Sequence, residues 1–519
     1  MNGKQLIYGF IIAGFAAAAL LSLMSKNVPA YGSTDPAAYI EAAHNLRAGK
    51  GLTVSAFGIY PLDQDMEQLR EWPPGYPLLI ALVSSFNIDE KAAAMIIPRF
   101  FFLLLPLAFF LVLRFFLNDT LAFASAIIIT FMWPTVALSM MALSDIPFLF
   151  LCLISFYLLF KTIADDRLSY GFAAGISTAL AVMVRYIGYN LLFGVIIGLL
   201  LGFFMRTIPR EKYLRIQAGY FCGFVLVYLP MLLRNIFTFH TLQPYRMPFT
   251  PVSWSAPGIK YLKEMACIFV GIWPSHGIYL VGLILLLLAA AYYLKRGFII
   301  RYYLETPAKT TYIFILLSYF SVAVLLFAVI GPRYIWHNDT EFRVFIPHCW
   351  IIAAFLISAM VFCCERLEHF FKIQQKWPIA ILLIIFFLAQ FSALQVWIGR
   401  QRPQYDTFVN LENSAGLISA IKSLPGNAYI ISNCGPYLRL LTGRDVRKLS
   451  RLNINFPPQG LADLVCRTRP LYVILVYGPG VSGILPPSWL SIGKSTLPAG
   501  YRCVSCSGTT IILYHEREV

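Results

Sequence analysis

The chain has 519 residues, 59% hydrophobic and only 13% charged, with a mean hydropathy of +0.70. Soluble domains carry about 25% charged and about 45–50% apolar residues, so these figures exclude a soluble protein, a disordered chain, collagen, a coiled coil and a small disulfide scaffold. The formal charge of +16 suits a nucleic-acid partner only if it gathers on one face.

A bilayer-crossing helix needs about 20 apolar residues. In chain order the stretches that meet or approach this are 6–24, 96–117, 120–140, 146–161, 170–185, 187–205, 216–234, 275–294, 310–330, 344–363 and 378–397. They predict a mainly α, polytopic membrane protein of about 11 transmembrane helices. The first run is long for the apolar core of a secretory signal, and no small-residue cleavage site precedes Ser25, so it reads as a retained helix.

Between the first two spans lies the long segment 25–95. It opens with Ser33-Thr34-Asp35-Pro36, a helix start with proline at the first helical position. Asp35 and Tyr39, four residues apart, share a face of that helix. As a plain cap Asp35 would need no further role. Glu71-Trp72-Pro73-Pro74-Gly75-Tyr76-Pro77-Leu78 then leads into the apolar run 75–87, whose 13 residues suit a helix lying along the membrane surface better than a span. Trp72 and Tyr76 fit the interfacial level.

Lys and Arg set the orientation. Arg206, Arg210, Lys212 and Arg215 fill one connection, Lys295, Arg296, Arg301 and Lys309 a second, and Arg366, Lys372 and Lys376 a third. All three fall on one side if the N-terminus is cytoplasmic, provided 75–87 does not cross. The odd span count then places 25–95, 235–274 and the C-terminal segment outside. With the basic residues divided in this way, a nucleic-acid partner is rejected.

The composition changes near residue 400. Residues 1–400 form the transmembrane domain, its loop 25–95 carrying juxtamembrane helices, and 405–519 read as a small extracytoplasmic α/β domain. There a helical pattern at 410–423 precedes β-rich runs at 428–432, 471–477 and 509–514, separated by turn dipeptides such as Pro425-Gly426 and Pro479-Gly480. Cys503 and Cys506 have a CxxC spacing but no second CxxC, so no metal site is assigned.

In so apolar a chain, acids and arginines at helix mouths are the informative residues. Asp145, in Leu143-Ser144-Asp145-Ile146-Pro147, opens outward like Asp35. Arg99 begins the second span, and Arg185-Tyr186 separates the fifth from the sixth. Arg333-Tyr334-Ile335-Trp336-His337-Asn338-Asp339-Thr340-Glu341-Phe342-Arg343 precedes the tenth. Boundary arginines often only snorkel toward headgroups, a reading that fits Arg99 better than Arg343. Carboxylates and arginines at one headgroup level suit transfer from a lipid phosphate: Arg stabilises the leaving phosphate and a carboxylate takes the acceptor proton.

The order of these features resembles the GT-C-fold glycosyltransferases, in the branch similar to protein O-mannosyltransferases and to the lipid A aminoarabinose transferase. That family carries an acid in the first external loop with an aromatic four residues on (Asp35, Tyr39) and then a Pro-Pro motif (Pro73-Pro74). An Arg opening the next span (Arg99), a second external acid (Asp145) and a late Glu/Arg loop (Glu341, Arg343) follow. The chain departs from it in having Pro36 after Asp35 and Trp72 where a basic residue is usual, and it has no acceptor-defining motif.

The resemblance implies an inverting glycosyltransferase moving a sugar from a polyprenyl-phosphate donor to a glycan, lipid or protein acceptor, with no cofactor and no metal indicated. Asp35 becomes the general base. Arg343, helped by Arg185 or Arg99, holds the phosphate, and Asp145 and Glu341 position hydroxyls. Tyr39, Glu71, Trp72, Tyr76, Tyr186 and His337 complete the expected substrate contacts. Two rivals share parts of this pattern. A flippase or transporter would show internal repeats and ionisable groups at the midplane; an O-antigen polymerase or ligase would carry a large late external loop.

Overall fold

The computed structural model describes residues 3–24, 34–55, 66–242, 244, 306–329, 343, 347–355, 357, 388–399, 410, 411, 413–444, 446–448, 470–476, 501–507 and 510–515. The chain divides into two compact units, one of residues 1–23, 70–76 and 96–396, the other of 24–69, 77–95 and 397–519.

The first unit is helical. Its elements are α1 (Gly3–Met24), most of α4 (Glu90–Leu113), α5 (Asp119–Thr130), α6 (Trp133–Ser139), α7 (Asp145–Asp165), α8 (Leu168–Val184), α9 (Tyr189–Phe204), α10 (Arg210–Phe239) and α11 (Pro307–Val329). Helical segments 347–355 and 388–399 follow. Among the described residues, five helices are long and apolar enough to cross a membrane, or six if α5 and α6 count as one broken span. Of the expected spans, 275–294 lies outside the described residues, as do parts of 344–363 and 378–397.

One expected span is not a single helix. The run 120–140 is bent by 59° between α5 and α6. The cause is Pro134 near the start of α6: it has no N–H to donate to the carbonyl four residues back, and its ring clashes with that carbonyl, so a continuous helix cannot run through it. Met132 takes up the turn at φ −59°, ψ 139°. The Gln390 side chain accepts a hydrogen bond from the Trp133 N–H at 3.0 Å.

Lipid tails are as apolar as leucine, so helices in a bilayer associate through close packing and internal hydrogen bonds. Glycine supplies the closeness. A Cβ on Gly175 of α8 would lie 1.9 Å from the Tyr220 carbonyl oxygen of α10, and one on Gly223 of α10 would lie 2.0 Å from the Phe172 carbonyl oxygen. A polar cluster crosses the same contact: the Ser155 and Thr178 hydroxyls are 2.7 Å apart, and Tyr220 donates to Thr178 Oγ1 at 2.9 Å. Each hydroxyl is thereby satisfied inside the bundle.

The second unit is mixed. It holds α2 (Thr34–Arg47), the hairpin β1 (Thr53–Ser55) and β2 (Met66–Gln68), α12 (Ala415–Lys422), α13 (Gly435–Thr442) and strands β3 (Tyr429–Ser432), β4 (Val446–Lys448), β5 (Leu471–Val476), β6 (Tyr501–Ser507) and β7 (Thr510–His515). The strands form one five-stranded sheet in the order β4-β3-β5-β7-β6. β3 runs parallel to β4 and β5, while β7 is antiparallel to β5 and β6. β3, β5 and β7 coincide with the three β-rich runs read from sequence. Ile421, Ile430, Leu438, Val446, Ile474 and Ile512 form the apolar core beside them.

Helix α3 (Gly75–Ser84) begins in the first unit and continues into the second. Its 10 residues are too few to span a bilayer. Leu78, Leu82 and Phe86, at helical spacing, are all exposed.

Candidate functional site

In the first unit, three residues far apart in sequence meet. Asp145 is the first residue of α7. Its side chain is not a cap: Ser144 holds the N-cap position, with no side-chain cap hydrogen bond. Instead Oδ2 of Asp145 accepts from Nε of Arg343 at 3.3 Å and from its Nη2 at 3.1 Å. Nη1 of Arg185 lies 2.6 Å from the same oxygen.

All three side chains are largely withdrawn from solvent, Asp145 at 3% exposure, Arg343 at 12% and Arg185 at 16%. One carboxylate against two guanidiniums leaves a formal charge of +1. The amino end of α7 adds partial positive charge at the same place. Each guanidinium is a planar fork of N–H donors that matches the geometry of a phosphate. The cluster is therefore built to receive an anion with several acceptor oxygens. Oδ1 of Asp145 is buried and has no hydrogen-bond partner among the described residues, leaving an acceptor for a donor such as a sugar hydroxyl.

Backbone geometry places Arg185. It ends α8 in extended conformation, φ −149°, ψ 131°, and a 3-10 turn over Tyr186–Gly188 carries the chain into α9. The Glu71–Tyr76 segment packs on this junction. A Cβ on Gly75 would lie 2.6 Å from the Met183 carbonyl oxygen, so glycine there lets the Pro-Pro turn reach the end of α8. Tyr186 donates its hydroxyl to the Arg70 carbonyl at 3.2 Å. Pro73, Pro74 and Tyr76 are buried; Glu71 and Trp72 are half-buried.

Arg99 is not in the cluster. It sits on α4 after Pro98, half-buried, and its Nε has no hydrogen-bond partner among the described residues. His337 and Glu341 lie outside the described residues. Also among the described residues, no group of three or more His, Cys, Asp and Glu side chains could hold a metal ion.

In the second unit, Asp35 occupies the first turn of α2 and is half-buried. Tyr39, one turn on, is 2% exposed. The helix buries Ala37, Ala38, Ile40, Ala42 and Ala43. Glu41 lies among them, and Nη2 of Arg439 from α13 reaches its Oε1 at 2.9 Å. Sequence reading passes over both. The available signal was an acid flanked by alanines on a helix otherwise apolar along that stretch.

The chain is an integral membrane protein, and its fold is that of the solved GT-C structures it is similar to. A family model described as dolichyl-phosphate-mannose-protein mannosyltransferase matches residues 71–232, which include Glu71, Trp72, Tyr76, Arg99, Asp145, Arg185 and Tyr186. The fold is similar to ArnT from Cupriavidus metallidurans bound to undecaprenyl phosphate, with TM-score 0.59 and 9% identity over 99% of this chain and 98% of that one. It is also similar to the apo oligosaccharyltransferase of Archaeoglobus fulgidus, with TM-score 0.58 and 13% identity over 92% of this chain and 70% of that one. The archaeal oligosaccharyltransferase AglB in complex with an inhibitory peptide and a dolichol-phosphate matches with TM-score 0.54 and 12% identity, over 99% of this chain and 74% of that one. No curated protein sequence matches the chain.

Proposed function

We propose that the protein is a glycosyltransferase that moves a sugar from a polyprenyl-phosphate donor to a hydroxyl or amine of a glycan, lipid or protein acceptor, with inversion. The observation that carries this reading is the Asp145–Arg185–Arg343 cluster, a buried site of net positive charge at the end of an apolar helix. Its chemistry suits a phosphate monoester at the membrane boundary, and similar folds include one solved with undecaprenyl phosphate and one with a dolichol-phosphate.

In this reading Asp35 takes the proton from the acceptor hydroxyl as its oxygen forms the bond to the anomeric carbon. The bond from that carbon to the donor phosphate oxygen breaks, and the electron pair leaves on the phosphate. Arg343 and Arg185 receive that charge. Arginine does so without a divalent metal because its donors are already oriented before charge develops. Asp145 has two roles, aligning the guanidiniums through Oδ2 and accepting a hydroxyl of sugar or acceptor at Oδ1. Glu71, Trp72, Tyr76, Tyr186 and His337 contact the substrates, with Tyr39 beside Asp35, Glu341 positioning a hydroxyl and Arg99 a secondary phosphate contact.

The distribution of Lys and Arg supports a cytoplasmic N-terminus, an extracytoplasmic site and an extracytoplasmic C-terminal α/β domain over 405–519, and the family resemblance suggests a bacterial inner membrane. Mass spectrometry of glycolipids and glycoproteins from cells with and without the gene tests the reading. A mass difference of one sugar unit in a defined species is the expected result. Identical glycan profiles, together with solute uptake into proteoliposomes of the purified protein, would instead establish a transporter.

A further inference from the structure

The buried Glu41–Arg439 pair takes no part in the chemistry above, yet it lies on the helix that carries Asp35. Nη2 of Arg439 is 2.9 Å from Oε1 of Glu41, with the side chains 17% and 10% exposed. Exposed ion pairs hold structure weakly because water and salt screen them. A pair as withdrawn as this one fixes the relative placement of its two helices, since either charge without the other is costly to bury.

The Arg439 end is anchored. Asn433 bridges the ends of β3 and β5: its Nδ2 donates to the Val476 carbonyl at 2.8 Å, and its Oδ1 accepts from the Val476 N–H at 2.9 Å. Ser432 Oγ accepts from the Cys434 N–H at 3.1 Å, and α13 follows at Gly435. Arg439 is thus held on a sheet-mounted helix that packs against α2.

On the other side, α2 is secured at its far end. Arg47 pairs with Glu90, His44 Nδ1 lies 3.6 Å from the same carboxylate, and Asn45 donates to the Thr53 carbonyl at 2.8 Å. Asp35 stands in the opposite, first turn. With about 100° and 1.5 Å per helical residue, Glu41 lies about 9 Å along the axis from Asp35 and about 120° around it. Arg439 therefore grips α2 on a face other than the one Asp35 shares with Tyr39.

We infer that Arg439 is a positioning residue: the C-terminal α/β segment, acting through Glu41, fixes the placement of α2 and so of the Asp35 carboxylate. The inference rests on the reading of Asp35 as the general base.

The test uses the full chain in lipid nanodiscs with undecaprenyl phosphate as the binding probe. It measures amide hydrogen exchange over residues 34–47 and formation of the product identified by the mass-spectrometric comparison. In R439M, exchange across the first two turns of α2 rises and product formation falls by about 10- to 100-fold, the scale of a displacement of order 1 Å at a reacting group. The undecaprenyl-phosphate Kd stays within about twofold, a shift of less than one tenfold step of affinity. The charge-swapped E41R/R439E restores both exchange protection and product formation. If R439M does not fold, R439Q, which also removes the charge, replaces it under the same criteria. Unchanged exchange, unchanged product formation, a matching loss of undecaprenyl-phosphate affinity or a swap as impaired as the single variant each overturns the inference. D35N run alongside separates the two levels. Loss of product in D35N with R439M unaffected removes this inference alone, whereas product formed by D35N removes the reading beneath it.

Discussion

Arg343 and Asp145, 198 residues apart in sequence, are joined by two hydrogen bonds to a single carboxylate oxygen, at 3.1 and 3.3 Å. Arg185 approaches the same oxygen at 2.6 Å. A pair of one acid and one base would be neutral and closed. The second guanidinium makes the site basic, and the planar forks of the two arginines give it the geometry to meet a phosphate.

Replacing Arg343 by Ala removes one of the two cations facing a bound phosphate. A hydrogen bond to a charged group contributes about 1.5–3 kcal/mol, so undecaprenyl phosphate should bind roughly 10- to 150-fold more weakly. R185A should give a loss of the same kind. Isothermal titration or thermal-shift binding with undecaprenyl phosphate checks both, and unchanged affinity in both variants would remove the phosphate role from this cluster.

Asp145→Asn keeps the shape but strands two mutually repelling guanidiniums. Breaking a buried pair in this way costs about 3–5 kcal/mol, so the variant should melt earlier in detergent. An anion that occupies the site should restore part of the loss through mass action. The diagnostic measurement is a larger thermal stabilisation by undecaprenyl phosphate in D145N than in the unmodified protein.

Gly75→Ala tests the Pro-Pro turn as a support for Arg185. The added Cβ would meet the Met183 carbonyl oxygen at 2.6 Å, and backbone cannot step aside as a flexible side chain does. Overpacking of this kind costs about 1–3 kcal/mol. Lower thermal stability together with weaker undecaprenyl-phosphate binding is expected. A stability loss with binding intact would show that the turn does not set Arg185.

Much of this was legible in the sequence because the solvent is lipid. Apolar runs mark helices strongly, and a rare charge such as Asp145 or Arg343 at a run's end stands out against them. Chain order also brought Asp145, Arg185 and Arg343 to one side before any contact was known. What the reading missed was tertiary or local-steric. Pro134 breaks the expected span 120–140, an effect of one residue that a hydropathy average over the run smooths away. Glu41 and Arg439 were not singled out, since their significance comes from a contact between segments almost 400 residues apart. Strands β4 and β6 were not anticipated either, because residues 446–448 and 501–507 are rich in polar and basic side chains.

The most direct test of the account is Asp35→Asn, with undecaprenyl-phosphate binding and product formation measured on the same preparation. Loss of a general base lowers rates by about 10²- to 10⁴-fold. The account predicts that product formation falls on this scale while undecaprenyl phosphate binds as in the unmodified protein. Product formed at an undiminished rate by D35N would contradict it.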